Sequence, residues 1–224
     1  GQKCTAIRRV LVPRNRVDEV IASLGTALAK TRMGDPRQEG VRMGPLVSRA
    51  QAQAAWDGLV RLKAEARVVA GGGADDGSCF VPATLLLCER PLEAKAVHEI
   101  EVFGPVATLM PYDSVDEAIT LARKGGGSLA ASVFTGDAGF VAEFVPAIAT
   151  AHGRVLVVDA AVAASHSGHG VVMPQCVHGG PGRAGGGEEL GGLRGLRFYM
   201  QRSALQGNKA MLEQLTAAAT IAAL

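Results

Sequence analysis

The chain has 224 residues, 48% of them hydrophobic and 20% charged, a balance that supplies a real core and argues against global disorder. A formal charge of +2 without a basic block, and only nine aromatic residues, exclude the basic groove and stacking platform of a nucleic-acid binder. No apolar run approaches the roughly 20 residues of a membrane span, and Cys4, Cys79, Cys88 and Cys176 contain no CxxC pair, so neither a zinc site nor a disulfide framework is expected and a reducing, cytoplasmic setting is.

In chain order, Arg9 to Pro13 reads as a short buried strand, and Val17 to Thr31 as a helix, with Val17, Val20, Ile21, Leu24 and Leu28 on one face and Gly34-Asp35-Pro36 as its stop. A helix capped by Ser48 is predicted to run to about Ala64, followed by a strand over Ala66 to Ala70 that ends at Gly71-Gly72-Gly73. Further strands are expected over Phe80 to Leu87 and over Val102 to Tyr112, the latter broken by Gly104-Pro105. Asp113 or Ser114 caps a helix through Arg123, and then come a strand over Leu129 to Phe134, a helix from Asp137 to Ala149 and a strand from Arg154 to Val158. Strands alternating with helices predict an α/β layer structure with a largely parallel sheet flanked by helices.

After Asp159 the texture changes to a Gly-, Ser- and His-rich loop from about Ala163 to Gly192. Arg197 to Ser203 then reads as a last strand, and Lys209 to Leu224 as an Ala-rich helix or tail.

Five motifs invite chemistry. Cys4 sits beside Lys3 and Thr5, with Arg8 and Arg9 following, so a helix beginning at Thr5 and nearby cations would favour its thiolate; the alternative is a small buried hydrophobe. Gly180-Pro181-Gly182-Arg183-Ala184-Gly185 matches GxGxxG in letters but carries Pro at the tight turn and lacks the flanking strand and helix, so it is not read as a phosphate cradle. His166, His169 and His178 have no adjacent carboxylate at ligand spacing, which favours loop hydrogen bonding over metal. Glu99 and Glu101 precede the strand that Gly104-Pro105 breaks, and with Phe103 they either face a cleft or form a salt-bridged strand entry. Glu188-Glu189 reads as a proton relay or as the first acidic turn of a short helix.

Gly1-Gln2-Lys3-Cys4, then Glu101-Val102-Phe103-Gly104-Pro105 about a hundred residues on, then the Gly-rich segment, resembles the catalytic half of the aldehyde dehydrogenase superfamily. The stretches from His178 to Gly195 and from Tyr199 to Gly207 look like the branch of 3,4-dehydroadipyl-CoA semialdehyde dehydrogenases, which act on thioester-borne ring-cleavage products in phenylacetate and benzoate degradation. The resemblance implies an aldehyde dehydrogenase catalytic (thiol) domain over residues 1–192 and an oligomerisation strand with a C-terminal tail over 193–224. It implies Cys4 as nucleophile, Glu101 at the nicotinamide-side ribose, Phe103 near the nicotinamide, NADP (or NAD) as cofactor, no metal, a small aldehyde substrate and a homodimer. The cofactor domain, oxyanion asparagine and general-base glutamate are expected upstream of Gly1, so this stretch alone is expected to be nearly inactive while Cys4 can still be alkylated. Lys124-Gly125-Gly126-Gly127-Ser128 stands where many relatives carry an asparagine-rich turn. Two rivals remain open: a cysteine hydrolase pairing Cys4 with His166 or His178, and a non-catalytic dimerisation module.

Overall fold

Strand β3 (Thr84–Leu87) is buried at every position and β4 (Val106–Tyr112) at five of its seven. Strands covered on both faces belong in a parallel sheet with helices on each side. The computed structural model, which describes residues 1–172, 178–186, 193, 196–197, 199–201 and 203–222, builds that arrangement. Strand β1 (Arg9–Pro13) runs parallel to β4, Arg9 opposite Thr108 and Pro13 opposite Tyr112, and β3 runs parallel to β4 on its other side. Strand β2 (Arg67–Gly71) closes the edge antiparallel to β3, giving the order β1-β4-β3-β2. A second sheet pairs β5 (Ser128–Phe134) with β6 (His152–Val158), again in parallel.

Alternation along the strands divides the core between two helices. Leu85, Leu87 and Leu109 face α1 (Val17–Ala29) through Val20, Ile21, Leu24 and Leu28. Leu86, Cys88 and Met110 face α2 (Arg49–Leu62) through Ala52, Ala55, Trp56 and Leu59. Leu86 and Leu109 are fully buried, and each such side chain contributes about 1.5–3 kcal/mol relative to its exposed state. A short helix, α3 (Ala96–Glu99), precedes β4. Helices α4 (Val115–Arg123) and α5 (Ala138–Ala149) cover β5 and β6, where Ala118, Ala122, Val133, Phe144 and Ile148 form a third cluster.

The predicted caps act as expected. Ser48 Oγ accepts from Gln51 N–H, Ser114 Oγ from Glu117 N–H, and the Asp137 carboxylate from the N–H groups of Gly139 and Phe140.

Four local expectations need correction. The strand expected from Phe80 begins at Thr84, since Pro82 cannot donate to a ladder. The strand expected from Val102 begins at Val106, after a bend at Phe103 to Pro105. No helix starts at Thr5, because Lys3 to Thr5 form a turn and β1 follows at Arg9. The C-terminal strand is not seen among the described residues: Leu193, Leu196 and Arg197 are helical and none of 199–201 or 203–205 is in a strand. Among the described residues no other strand lies against this stretch to pair with it, so no ladder forms. The final helix, α6 (Lys209–Ala222), matches the expected Ala-rich helix; its last expected residues, like Cys176, Glu188 and Glu189, lie outside the described residues.

Candidate active site

Residues 3 to 6 form a tight turn closed by the Ala6 N–H donating to Lys3 O at 3.0 Å, with Cys4 and Thr5 at its two central positions. Cys4 is exposed and Thr5 is buried, so the turn pushes the thiol outward and uses its neighbour as the anchor. The approach is pinned too: Gln2 Oε1 accepts from Val47 N–H at 2.9 Å, just before α2. On the far side, Arg8 O accepts from Thr108 N–H as β1 joins β4.

Glu101 and Phe103 lie beside this turn. Between them Val102 is buried against Gly58 of α2, where an added Cβ would come within 2.8 Å of Val102 Cγ2. On either side of it Glu101 and Phe103 are both exposed, Phe103 by 39%. Gly1 packs so closely on the Gly104 carbonyl that any Cβ there would overlap it. The two segments line one shallow recess with Gly1, Lys3, Arg8, Glu101, Phe103 and Gly104, enclosing about 10 Å³, room for a single water. The structure thus brings Lys3 and Ala6, the two ends of the Cys4 turn, to the recess beside the Glu101–Phe103 bend, while Cys4 itself does not line it.

Cations gather beneath it. Arg9 Nη1 donates to Leu121 O at 2.7 Å and Nη2 to Ala122 O at 3.0 Å, satisfying carbonyls at the C-terminal end of α4. Burial and the neighbouring Arg8 and Arg183 bring the Arg9 pKa down to about 10. Burial also lowers that of Arg8, against the opposing pull of Glu101. Arg183 reaches from the Gly-rich segment to Glu99 O at 3.0 Å, while its own N–H donates to Gly126 O at 3.0 Å. The GxGxxG letters thus serve close packing against the Gly125–Gly127 turn; Gly127, at φ +111°, leaves no room for a side chain beside Pro181 O.

The loop histidines make hydrogen bonds within the chain. His166 Nδ1 accepts from Gly168 N–H at 3.1 Å, and His178 Nδ1 lies 3.3 Å from an Arg154 guanidinium nitrogen. His169 bridges Ser132 Oγ and Thr5 O at 2.9 and 2.7 Å. Among the described residues, no histidine nitrogen is hydrogen-bonded to Cys4, so the dyad that a cysteine hydrolase requires is not assembled. His169 meets the Cys4 turn across 164 residues, a contact that the loop-hydrogen-bond expectation for these histidines does not locate. The cluster Ser165-His166-Ser167-Gly168-His169-Gly170 was the available signal, without an address.

Residues 1–205 match the family model described as "Aldehyde dehydrogenase family". The chain belongs to the aldehyde dehydrogenase family. It is 54% identical over 189 residues to a 3,4-dehydroadipyl-CoA semialdehyde dehydrogenase of Aromatoleum evansii, covering 81% of this chain and 37% of that protein. It is 51% identical over 173 residues to Protein MaoC of Klebsiella aerogenes, covering 76% of this chain and 52% of that one. The chain therefore spans between about a third and a half of these relatives' length. Among solved structures, an aldehyde dehydrogenase of Bacillus cereus in complex with NAD+ superposes with a TM-score of 0.76 at 28% identity, over 90% of this chain and 38% of that one. Lactaldehyde dehydrogenase of Escherichia coli does so with the same TM-score and identity, over 90% of this chain and 40% of its own. These matches carry the α/β dehydrogenase fold and the oxidoreductase family to this chain. Among the described residues no helix is long and apolar enough to cross a membrane.

Proposed function

We propose that this chain is the thiol-bearing part of an NAD(P)-dependent dehydrogenase oxidising a semialdehyde carried as a coenzyme A thioester. The observation that carries this reading is the 54% identity to the Aromatoleum evansii enzyme across 81% of the chain. On this reading residues 1–192 form the catalytic domain, 193–224 serve a homodimer, and an aromatic-ring degradation product is the substrate.

Cys4 is the proposed nucleophile. Its exposed sulfur, as the thiolate, adds to the aldehyde carbon, forming the C–S bond of a thiohemiacetal whose oxyanion is held by the Cys4 backbone N–H together with an asparagine amide proposed to lie outside this stretch. A bound nicotinamide cofactor supplies the hydride acceptor for that carbon. The thioester left on Cys4 is then cleaved by water, which gives the carboxylic acid and returns the thiol. Attacking water needs a general base, proposed to lie in the part of the enzyme outside this stretch.

The exposed bend fits the cofactor's reactive end. Glu101 presents a carboxylate, an acceptor for paired ribose hydroxyls, and Phe103 presents an open ring edge beside it. Glu101→Gln is expected to weaken cofactor binding, and Phe103→Ala to loosen the placement of the ring. NADP is the preferred cofactor on the branch resemblance.

The test is aldehyde-dependent formation of NADPH and NADH by the enzyme containing this chain, with a coenzyme A-linked semialdehyde and with simple aldehydes. Fastest turnover with the thioester-linked substrate and NADP supports the reading. Equal rates with simple aldehydes would remove the thioester from it, and no nicotinamide reduction with any aldehyde would overturn it.

A further inference from the structure

We propose that His169 is a positioning residue that fixes the Cys4 turn, an inference that rests on Cys4 being the nucleophile. The carbonyl of Thr5 can only accept, so the His169 nitrogen 2.7 Å away, Nε2, carries the proton. In the neutral ring Nδ1 is then the acceptor, and the Ser132 hydroxyl 2.9 Å away donates to it. Ser132 lies on β5. The backbone of His169 is held as well, its carbonyl accepting from Arg154 Nη2 on β6 at 2.9 Å. Both strands of the second sheet therefore hold this histidine from below, and its ring reaches up to the turn.

The group it grips decides the consequence. Thr5 C=O and Ala6 N–H belong to one peptide plane. His169 holds the carbonyl end of that plane and Lys3 O holds the N–H end, at 2.7 and 3.0 Å. With both ends fixed, the plane cannot rotate, and the turn that projects Cys4 keeps one orientation. Gly170 closes the fit: a Cβ there would sit 2.9 Å from Lys3 Nζ and 3.1 Å from Thr5 Oγ1. Thr5 Oγ1 is buried without a partner among the described residues, so Thr5 is anchored by its backbone carbonyl rather than by its hydroxyl.

A misplaced nucleophile loses rate more than binding, and displacement by about 1 Å costs on the order of 100-fold. The experiment compares wild type with His169→Ala, His169→Gln and Ser132→Ala in the enzyme containing this chain. It reads kcat and KM for the aldehyde, and hydrogen exchange at the Ala6 amide. Glutamine places an N–H where Nε2 stood; alanine does not.

His169→Ala is expected to lower kcat by about 10- to 100-fold with KM changed less than about threefold. Ala6 exchange should accelerate by at least about tenfold, and His169→Gln should recover most of both losses. Ser132→Ala, the milder change, should fall between. Unchanged kcat and unchanged Ala6 exchange in His169→Ala would overturn the proposal, as would equal losses in the Ala and Gln variants. Cys4→Ala, run alongside, separates the two claims: full turnover there would remove the nucleophile assignment, while Ala6 exchange would still decide whether His169 holds the turn.

Discussion

Arg9 and His98 face each other across the junction of β1 and α3, Arg9 Nη1 lying 3.3 Å from His98 Nδ1 while His98 Nε2 lies 2.8 Å from Pro91 O. Pro91 O can only accept, so Nε2 carries the hydrogen and Nδ1 turns its lone pair to the guanidinium. A second proton on that ring would point at a cation. Burial, with Arg9 and Lys124 adding to it, therefore lowers the His98 pKa. Burial does the same to His152, whose Nδ1 donates to Ile148 O at 2.9 Å.

The pH dependence follows from that sign. Both imidazoles take up a proton at lower pH when folded than when unfolded, where they titrate near pH 6.5, so the unfolded state binds more protons as the pH falls below that value. Stability is expected to be flat from these groups above about pH 7 and to decline below about pH 6.5, by up to about 1.4 kcal/mol per pH unit for each histidine. Urea unfolding between pH 8 and pH 5 measures it. His98→Gln should be less stable at pH 8 and show a shallower acid decline; an identical slope would remove His98 from the explanation.

Arg9 itself is a structural group. Its guanidinium answers two α4 carbonyls, so Arg9→Ala leaves Leu121 O and Ala122 O without it and is expected to cost about 3 kcal/mol. Arg9→Lys should recover only part, since an ammonium does not reproduce the planar fork. Thermal and urea denaturation of both variants check the order, and full recovery by lysine would contradict it.

At Gly127 the backbone is left-handed and a Cβ would overlap Pro181 O. Gly127→Ala is expected to destabilise the chain by about 1–3 kcal/mol and to loosen the Gly-rich segment from the start of β5. Gly136, with nothing near it, is the control: Gly136→Ala should change stability by less than about 1 kcal/mol. Hydrogen exchange at Arg183 N–H, which donates to Gly126 O, reports the loosening.

Thiol reactivity should divide by burial. Cys4 is exposed, whereas Cys88 is 1% exposed and burial pushes its thiol up. Iodoacetamide followed by peptide mass analysis should label Cys4 at least about tenfold faster than Cys88 in the folded chain, and equally only in denaturant. Comparable rates without denaturant would mean that the α2-side core is open.

Local patterns carried most of this fold into view. Ser48, Ser114 and Asp137 cap the helices that their spacing announced, and the alternation of Leu85, Leu86 and Leu87 reads as a strand buried on both faces. Helix α3 was invisible because its N-terminal N–H groups are satisfied from a distance, by the Glu65 carboxylate bonding to Lys95 and Val97 N–H. Cys4 and the Glu101–Phe103 bend become candidates through the family resemblance, because their local letters alone fit an incidental thiol and a salt-bridged strand entry equally. The supports of the site were not legible: Gln2 to Val47 and His169 to Thr5 are long-range contacts that no spacing encodes. The expected helix at Thr5 failed for the same reason, since β1 claims the residues that would have extended it.

The central claim is covalent chemistry at Cys4, and rapid acid quench with peptide mass analysis tests it most directly. The enzyme containing this chain is mixed with a coenzyme A-linked semialdehyde and NADP, stopped during turnover and digested. The account predicts an adduct on the Cys4 peptide lighter than simple aldehyde addition by two hydrogens, and none in Cys4→Ala. Substrate consumed with NADPH formed, and no adduct on Cys4 at any quench time, would contradict it.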